Sequence, residues 1–185
     1  PSAEQKIVNL GLVTFVKNEI IFVIELTETK VLKMRLYIDG DAFPNLLKPI
    51  VLRCIERLSL PTYVIANKKI SLGGKSKHVE NIIVDQGADE ADHRIVEMVE
   101  EGDLVITADI PLADRVISKK AHAIDHRGEL YSVDNIKQYL AMRNLMEEIR
   151  ESGEMTGGPK AFSQKDAHAF ANQLHSFLVK QAKTS

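Results

Sequence analysis

One cysteine among 185 residues, Cys54, leaves no partner for an internal disulfide and too few thiolates for a cysteine-built zinc or iron–sulfur site. A lone thiol suits a reducing compartment, so the expected location is cytoplasmic. Long apolar runs are missing as well. The best candidate, residues 11–26, is cut by Lys17, Asn18 and Glu19, short of the ~18–20 apolar residues that cross a bilayer. No membrane partner is expected. Glu4 and Lys6 ahead of that broken stretch do not make a secretory signal, and secretion is not expected either. Aromatic residues are only 5% of the chain, too few for a broad stacking platform on single-stranded nucleic acid. Neither charge dominates: 24 Lys and Arg against 26 Asp and Glu leave −2. A polyanion would therefore have to be held by a local patch.

What is present suits a folded chain. With 44% hydrophobic and 27% charged residues it can bury a core and stay hydrated. Its length fits one domain with an appendage. From Met34 onward short apolar runs alternate with amphipathic, helix-length stretches, which predicts an α/β domain over 34–185 with an open, mainly parallel sheet flanked by helices. Strands are expected at 36–39, 62–66, 79–84, 104–107 and 121–124, with the second and third of these buried. Helices are expected at 45–58, with Leu46, Ile50, Cys54 and Leu58 on the inner face, at 87–102 closed by Gly102, from Pro111, and at 133–152 capped by Ser132 and ended by Gly153. A last helix opens on a Ser163–Asp166 capping box and buries Phe170, Leu174, Phe177 and Leu178. Cys54 reads as a core residue. Residues 1–33 form an N-terminal extension. It is either upstream sequence translated from a start placed too early or a β-hairpin pairing 12–16 with 20–24.

Carboxylates gather where the strands end: Asp39 and Asp41 after the first strand, Asp89 and Asp92 at the start of the acidic helix, and Asp109 after the fourth strand. In an open parallel sheet that edge is where ligands sit. Converging carboxylates either raise their pKa values or hold a cation, and Mg²⁺ or Mn²⁺ suits an all-oxygen set acting on phosphate esters. Asp39 and Asp109 equally suit helix caps and turns. Asp-Gly-Asp directly after a strand, however, spends two charges where a cap needs one. Asp114 and Asp125 read as solvated surface positions, and most of the acidic run from Asp85 to Asp103 as a hydrated helix face. The loop 67–77 carries Lys68, Lys69, Lys75 and Lys77 without an acid. It is a hydrated loop or a grip on a polyanion's backbone. Gly74-Lys75-Ser76 is not a phosphate-binding loop, because Lys69 stands where the first glycine belongs. His122 and His126 flank a strand end and do not face each other as zinc ligands would. No Ser-His-Asp order or nucleophile elbow appears.

Ile38-Asp39-Gly40-Asp41-Ala42-Phe43-Pro44, then Gly87-Ala88-Asp89-Glu90-Ala91-Asp92, then the run from Gly102 to Ala113, and finally Thr156-Gly157-Gly158-Pro159 resemble the ordered motifs of the YaiI/YqxD family of bacterial proteins. The likeness spans about residues 34–177. Family members are similar to PIN-like domains, whose Rossmann-type sheet carries a metal-binding acidic centre that cleaves RNA. The resemblance therefore implies Asp39, Asp41, Asp92 and Asp109 as catalytic and metal-holding residues, with Asp89 beside them. Asn67 and Thr107 would shape the site, and Lys75 and Lys77 would steer RNA. Gly40 and Phe43 depart from the Asp-Ala-Asp-Ala-Cys-Pro expected of the family, which removes any thiol-dependent role there. Two other readings stay open: a non-catalytic RNA-binding or regulatory module, and a phosphatase using Asp39 as nucleophile. The loop 156–159 is either a lid over the acidic edge or a plain turn.

Overall fold

A computed structural model describes residues 13–16, 19–22, 33–87, 89–153 and 160–184. In the extension, β1 (Val13–Val16) and β2 (Glu19–Phe22) pair antiparallel, with Val13 opposite Phe22 and Val16 opposite Glu19. Of the hairpin alternative, β1 falls within the segment 12–16 and β2 overlaps the segment 20–24; Leu12, Lys17, Asn18, Val23 and Ile24, and the loop 156–159, lie outside the described residues.

A six-stranded sheet organises the rest. In chain order it contains β3 (Leu36–Asp39), β4 (Thr62–Ala66), β5 (Val79–Ile83), β6 (Leu104–Ile106), β7 (His122–Ile124) and β8 (Leu130–Tyr131). Its spatial order is β5-β4-β3-β6-β7-β8, parallel throughout except for the β7–β8 pair. Side chains alternate between the two faces. Leu36, Ile38, Val64, Leu104, Ile106 and Ile124 enter one core cluster with α1 (Lys48–Leu58) and α5 (Gln164–Thr184). Tyr37, Ile65, Val105 and Ala123 enter the other, beneath α2 (Glu90–Met98), α3 (Ile110–Ser118) and Ile136 at the start of α4 (Ile136–Glu151). Both faces being apolar is what a parallel sheet with helices on each side requires. The α/β architecture expected from the sequence is present.

Several boundaries differ, each for a local reason. α1 starts at Lys48 because 44–47 form a turn, with Leu47 N–H donating to the Pro44 carbonyl at 3.0 Å. Leu47 takes the inner position and Leu46 is 37% exposed. α2 ends at Met98, since Val99 is extended (ψ 136°), and Gly102, at φ +87°, makes the turn into β6. α4 starts at Ile136, not 133: Asn135 Oδ1 accepts from Ser132 N–H and Ser132 Oγ from Asn135 N–H, which holds a turn there and leaves Val133 exposed. β5 is not a buried strand. It is an edge that pairs only with β4, and Ile83 is 61% exposed. β8, two residues long, carries too little pattern to be read from sequence. The Ser163–Asp166 capping box forms as expected, with Asp166 Oδ2 accepting from Ser163 N–H at 2.8 Å and Ser163 Oγ from Asp166 N–H at 3.3 Å. Among the described residues no helix is long and apolar enough to cross a membrane.

Candidate active site

The strand order fixes where a site can form. From β3 the chain steps to β4 and β5 on one side, then returns to place β6 and β7 on the other, so the reversal falls between β3 and β6. Ligands of open α/β sheets bind at the carboxyl end of such a reversal. Asp39 ends β3 there, and Thr107 and Asp109 follow β6. Thr107 is fully buried; its hydroxyl donates to Asp39 Oδ2 at 2.9 Å and accepts from Asp109 N–H at 3.0 Å. One hydroxyl thus sets the orientation of Asp39 and the path of the next turn. Asp109 Oδ1 accepts from Leu112 N–H at 2.7 Å, capping α3, with Pro111 in that helix's first turn. The cap reading of Asp109 is correct and does not remove it from the site.

The Asp39–Asp41 turn lies against β4. Gly40 N–H donates to the Ile65 carbonyl at 2.8 Å. A Cβ on Gly40 would meet Ala66 Cβ at 3.0 Å and the Ile65 carbonyl at 3.1 Å, so glycine allows the closest approach at this point. Asp41 Oδ1 accepts from the Asn67 backbone N–H at 3.1 Å, so Asn67 shapes the turn through its main chain. Phe43 is buried edge-on to His126 with ring centroids 5.5 Å apart. Asp89 enters α2 with left-handed backbone, φ 65°, and Asp92 lies one turn on.

These segments enclose an open cavity of about 380 Å³. Asp39, Asp41, Asp85, Asp89, Asp92 and Asp109 line it, and among the described residues no Lys or Arg does. Asp85 was missed in the sequence as an individual site residue. The signal was available, since it stands two residues past the third strand, at the same edge. The electrostatics agree with the geometry. Burial pushes Asp92 up to about 6, and the negative charges of Asp109, Asp39 and Asp89 add to it, against a smaller opposing effect of Arg115. Burial also raises Asp39, opposed by the Thr107 hydrogen bond and reinforced by Asp41 and Asp109. Carboxylates from separate stretches of chain therefore repel one another across one cavity.

The remaining expected residues sit elsewhere. Lys69 and Lys75, with Glu80 beside them, line a second cavity of about 800 Å³ under the 67–77 loop. Lys77 is exposed and lines neither. The two cavities flank the end of β5: Ile83 borders the basic one, Val84 and Asp85 the acidic one. Asp114 pairs with Lys137 at 2.7 Å. Asp125 is not simply solvated: its Oδ1 accepts from Arg127 and Glu129 N–H. His122 packs on Phe177 and His126 on Phe43.

A hard divalent cation matches the donor chemistry, since every candidate is a carboxylate and Arg115 offsets only part of the repulsion at Asp92. The spacing does not close around an ion. Among the described residues no three Asp, Glu, His or Cys side chains are placed to hold a metal as they stand.

Sequence comparison decides the lineage. The YaiI/YqxD family, described as "Uncharacterized BCR", matches over residues 37–180. The chain belongs to this family. It is 80% identical over 147 residues to a UPF0178 protein of Sulfurovum sp. (strain NBC37-1), covering 80% of this chain and 99% of that one. A UPF0178 protein of Sulfurimonas denitrificans (strain ATCC 33889 / DSM 1251) is 76% identical over 147 residues, 80% of this chain and 97% of its own. One of Hahella chejuensis (strain KCTC 2396) is 50% identical over 151 residues, 82% of this chain and all of its own. No solved structure matches.

Proposed function

We propose that this YaiI/YqxD chain is a Mg²⁺- or Mn²⁺-dependent phosphodiesterase whose substrate is RNA. The observation that carries the reading is a six-aspartate cavity at the reversal point of the sheet, with no basic side chain among the described residues that line it. Asp39, Asp41, Asp89, Asp92 and Asp109 would hold the cation, after side-chain rotations that bring their oxygens together. When bound, the ion would supply an activated water and stabilise the negative charge that develops on the leaving oxygen. The chain's own residues do the rest. Thr107 fixes the Asp39 carboxylate, the Asn67 N–H fixes Asp41, and the Leu112 N–H fixes Asp109. Burial and the neighbouring carboxylates raise the pKa of Asp92 in the cation-free chain, a penalty that a bound cation would relieve. RNA as substrate is supported by the resemblance to PIN-like domains, and by the cavity beside the acidic one, where Lys69 and Lys75 outnumber Glu80 and suit a phosphate backbone.

Asp39→Asn tests the reading. It keeps the shape and the Thr107 contact and removes one repelling charge, so RNA cleavage with Mg²⁺ or Mn²⁺ should be abolished while Tm holds or rises. A variant that cleaves like wild type, or a wild type inert on RNA with either cation, defeats it. Cation binding without turnover would point to the non-catalytic RNA-binding or regulatory module instead.

A further inference from the structure

α4 carries an apolar stripe out of the fold. Of its 16 residues only Ile136 is buried, while Met142, Leu145 and Met146 are 54%, 49% and 41% exposed. Single exposed apolar side chains are ordinary, but a contiguous line of them marks an interaction surface. Gln138, Met142, Leu145 and Ile149 follow one another at steps of four, three and four, the spacing of a coiled-coil seam, with Met146 alongside. The charge along the helix is divided. Residues 136–143 carry Lys137 and Arg143 and no acid; residues 144–151 carry Glu147, Glu148 and Glu151 against Arg150 alone.

We propose that α4 is the docking face for a second copy of this chain, with the two α4 helices antiparallel about a two-fold axis. Antiparallel packing places the basic half of each helix beside the acidic half of the other, and parallel packing would place like charges together. With Met142 of one copy opposite Leu145 of the other, Ile149 lies opposite Gln138, and Lys137 comes alongside Glu148 and Glu151. Lys137 is already held by Asp114, yet its side chain is 70% exposed and an ammonium has three donors. A two-fold pairing uses the same patch twice, so the assembly closes at two chains.

Light scattering on the full chain tests this independently of any activity. Wild type should have twice the 20.7 kDa chain mass at about 100 μM and dissociate on dilution toward about 1 μM. Leu145→Asp should be monomeric throughout, with unchanged circular dichroism because Leu145 belongs to neither core cluster. Glu148→Lys should weaken the dimer roughly 10-fold, and Lys137→Glu combined with Glu148→Lys should recover part of that loss. A monomeric wild type at the higher concentration overturns the proposal. So does a dimer that survives Leu145→Asp, or a double variant weaker than Glu148→Lys alone.

Discussion

Asp109 does two things with one carboxylate: an oxygen caps α3 through Leu112, and the charge faces the acidic cavity. The two can be separated. Asparagine is as good an N-cap as aspartate, so Asp109→Asn should keep Tm within about 1 °C and lose RNA cleavage. Asp109→Ala should lose cleavage and about 1 kcal/mol of stability in urea unfolding. If Asn retains full activity, the residue is a cap and nothing more. Asp92 makes a pH prediction. Its folded pKa is raised to about 6 from an ordinary 3.8, so its stabilising contribution is complete below the ordinary value and is lost as pH rises through about 6. His126 runs the other way, because burial lowers it to about 4 and its contribution is lost as pH falls below its ordinary 6.5. The difference in Tm between Asp92→Asn and wild type cancels His126. It should move in the variant's favour from about pH 4 to about pH 7, and a flat difference would place Asp92 outside the repelling cluster.

At the scale of elements, the readable ones carried a period or a punctuation mark. β3, β4, β6 and α3 sit within a residue or two of expectation, because the apolar triplets and Pro111 admit few other structures. The errors fall where a side chain outcompetes the helix, as with Ser132 and Asn135, or where burial depends on a neighbour, as at β5. Asp103 shows the second kind of error. In sequence it is one more acid in a run of eight, but its side chain is 5% exposed and is gripped by Arg35 at 2.8 Å, tying together the amino ends of β3 and β6. Replacing Arg35 with Leu would strand a buried carboxylate and should cost about 3 kcal/mol, read as a lower urea midpoint. A change under about 1 kcal/mol would mean that the backbone donors of Arg35 and Glu100 satisfy Asp103 unaided.

At the scale of the whole molecule, the aspartate-lined cavity predicts linkage between cation and fold. Mn²⁺ should raise Tm at about pH 7.5 and much less at about pH 5, where Asp92 is mostly protonated and its ligand oxygens are not free. Asp39→Asn should blunt the shift. No shift in wild type at any pH would remove the cation from the proposed chemistry. The residue types were legible in advance because acids after apolar triplets stand out in one dimension. Alternation of short apolar runs and amphipathic stretches likewise determined, without coordinates, an α/β layer with a hairpin-length segment ahead of it. Which acids meet was decided only by the order β5-β4-β3-β6-β7-β8, which brings the ends of β3 and β6 together from 68 residues apart and draws Asp85 into the cavity. Strand order depends on pairing between segments far apart in the chain. No local propensity encodes it.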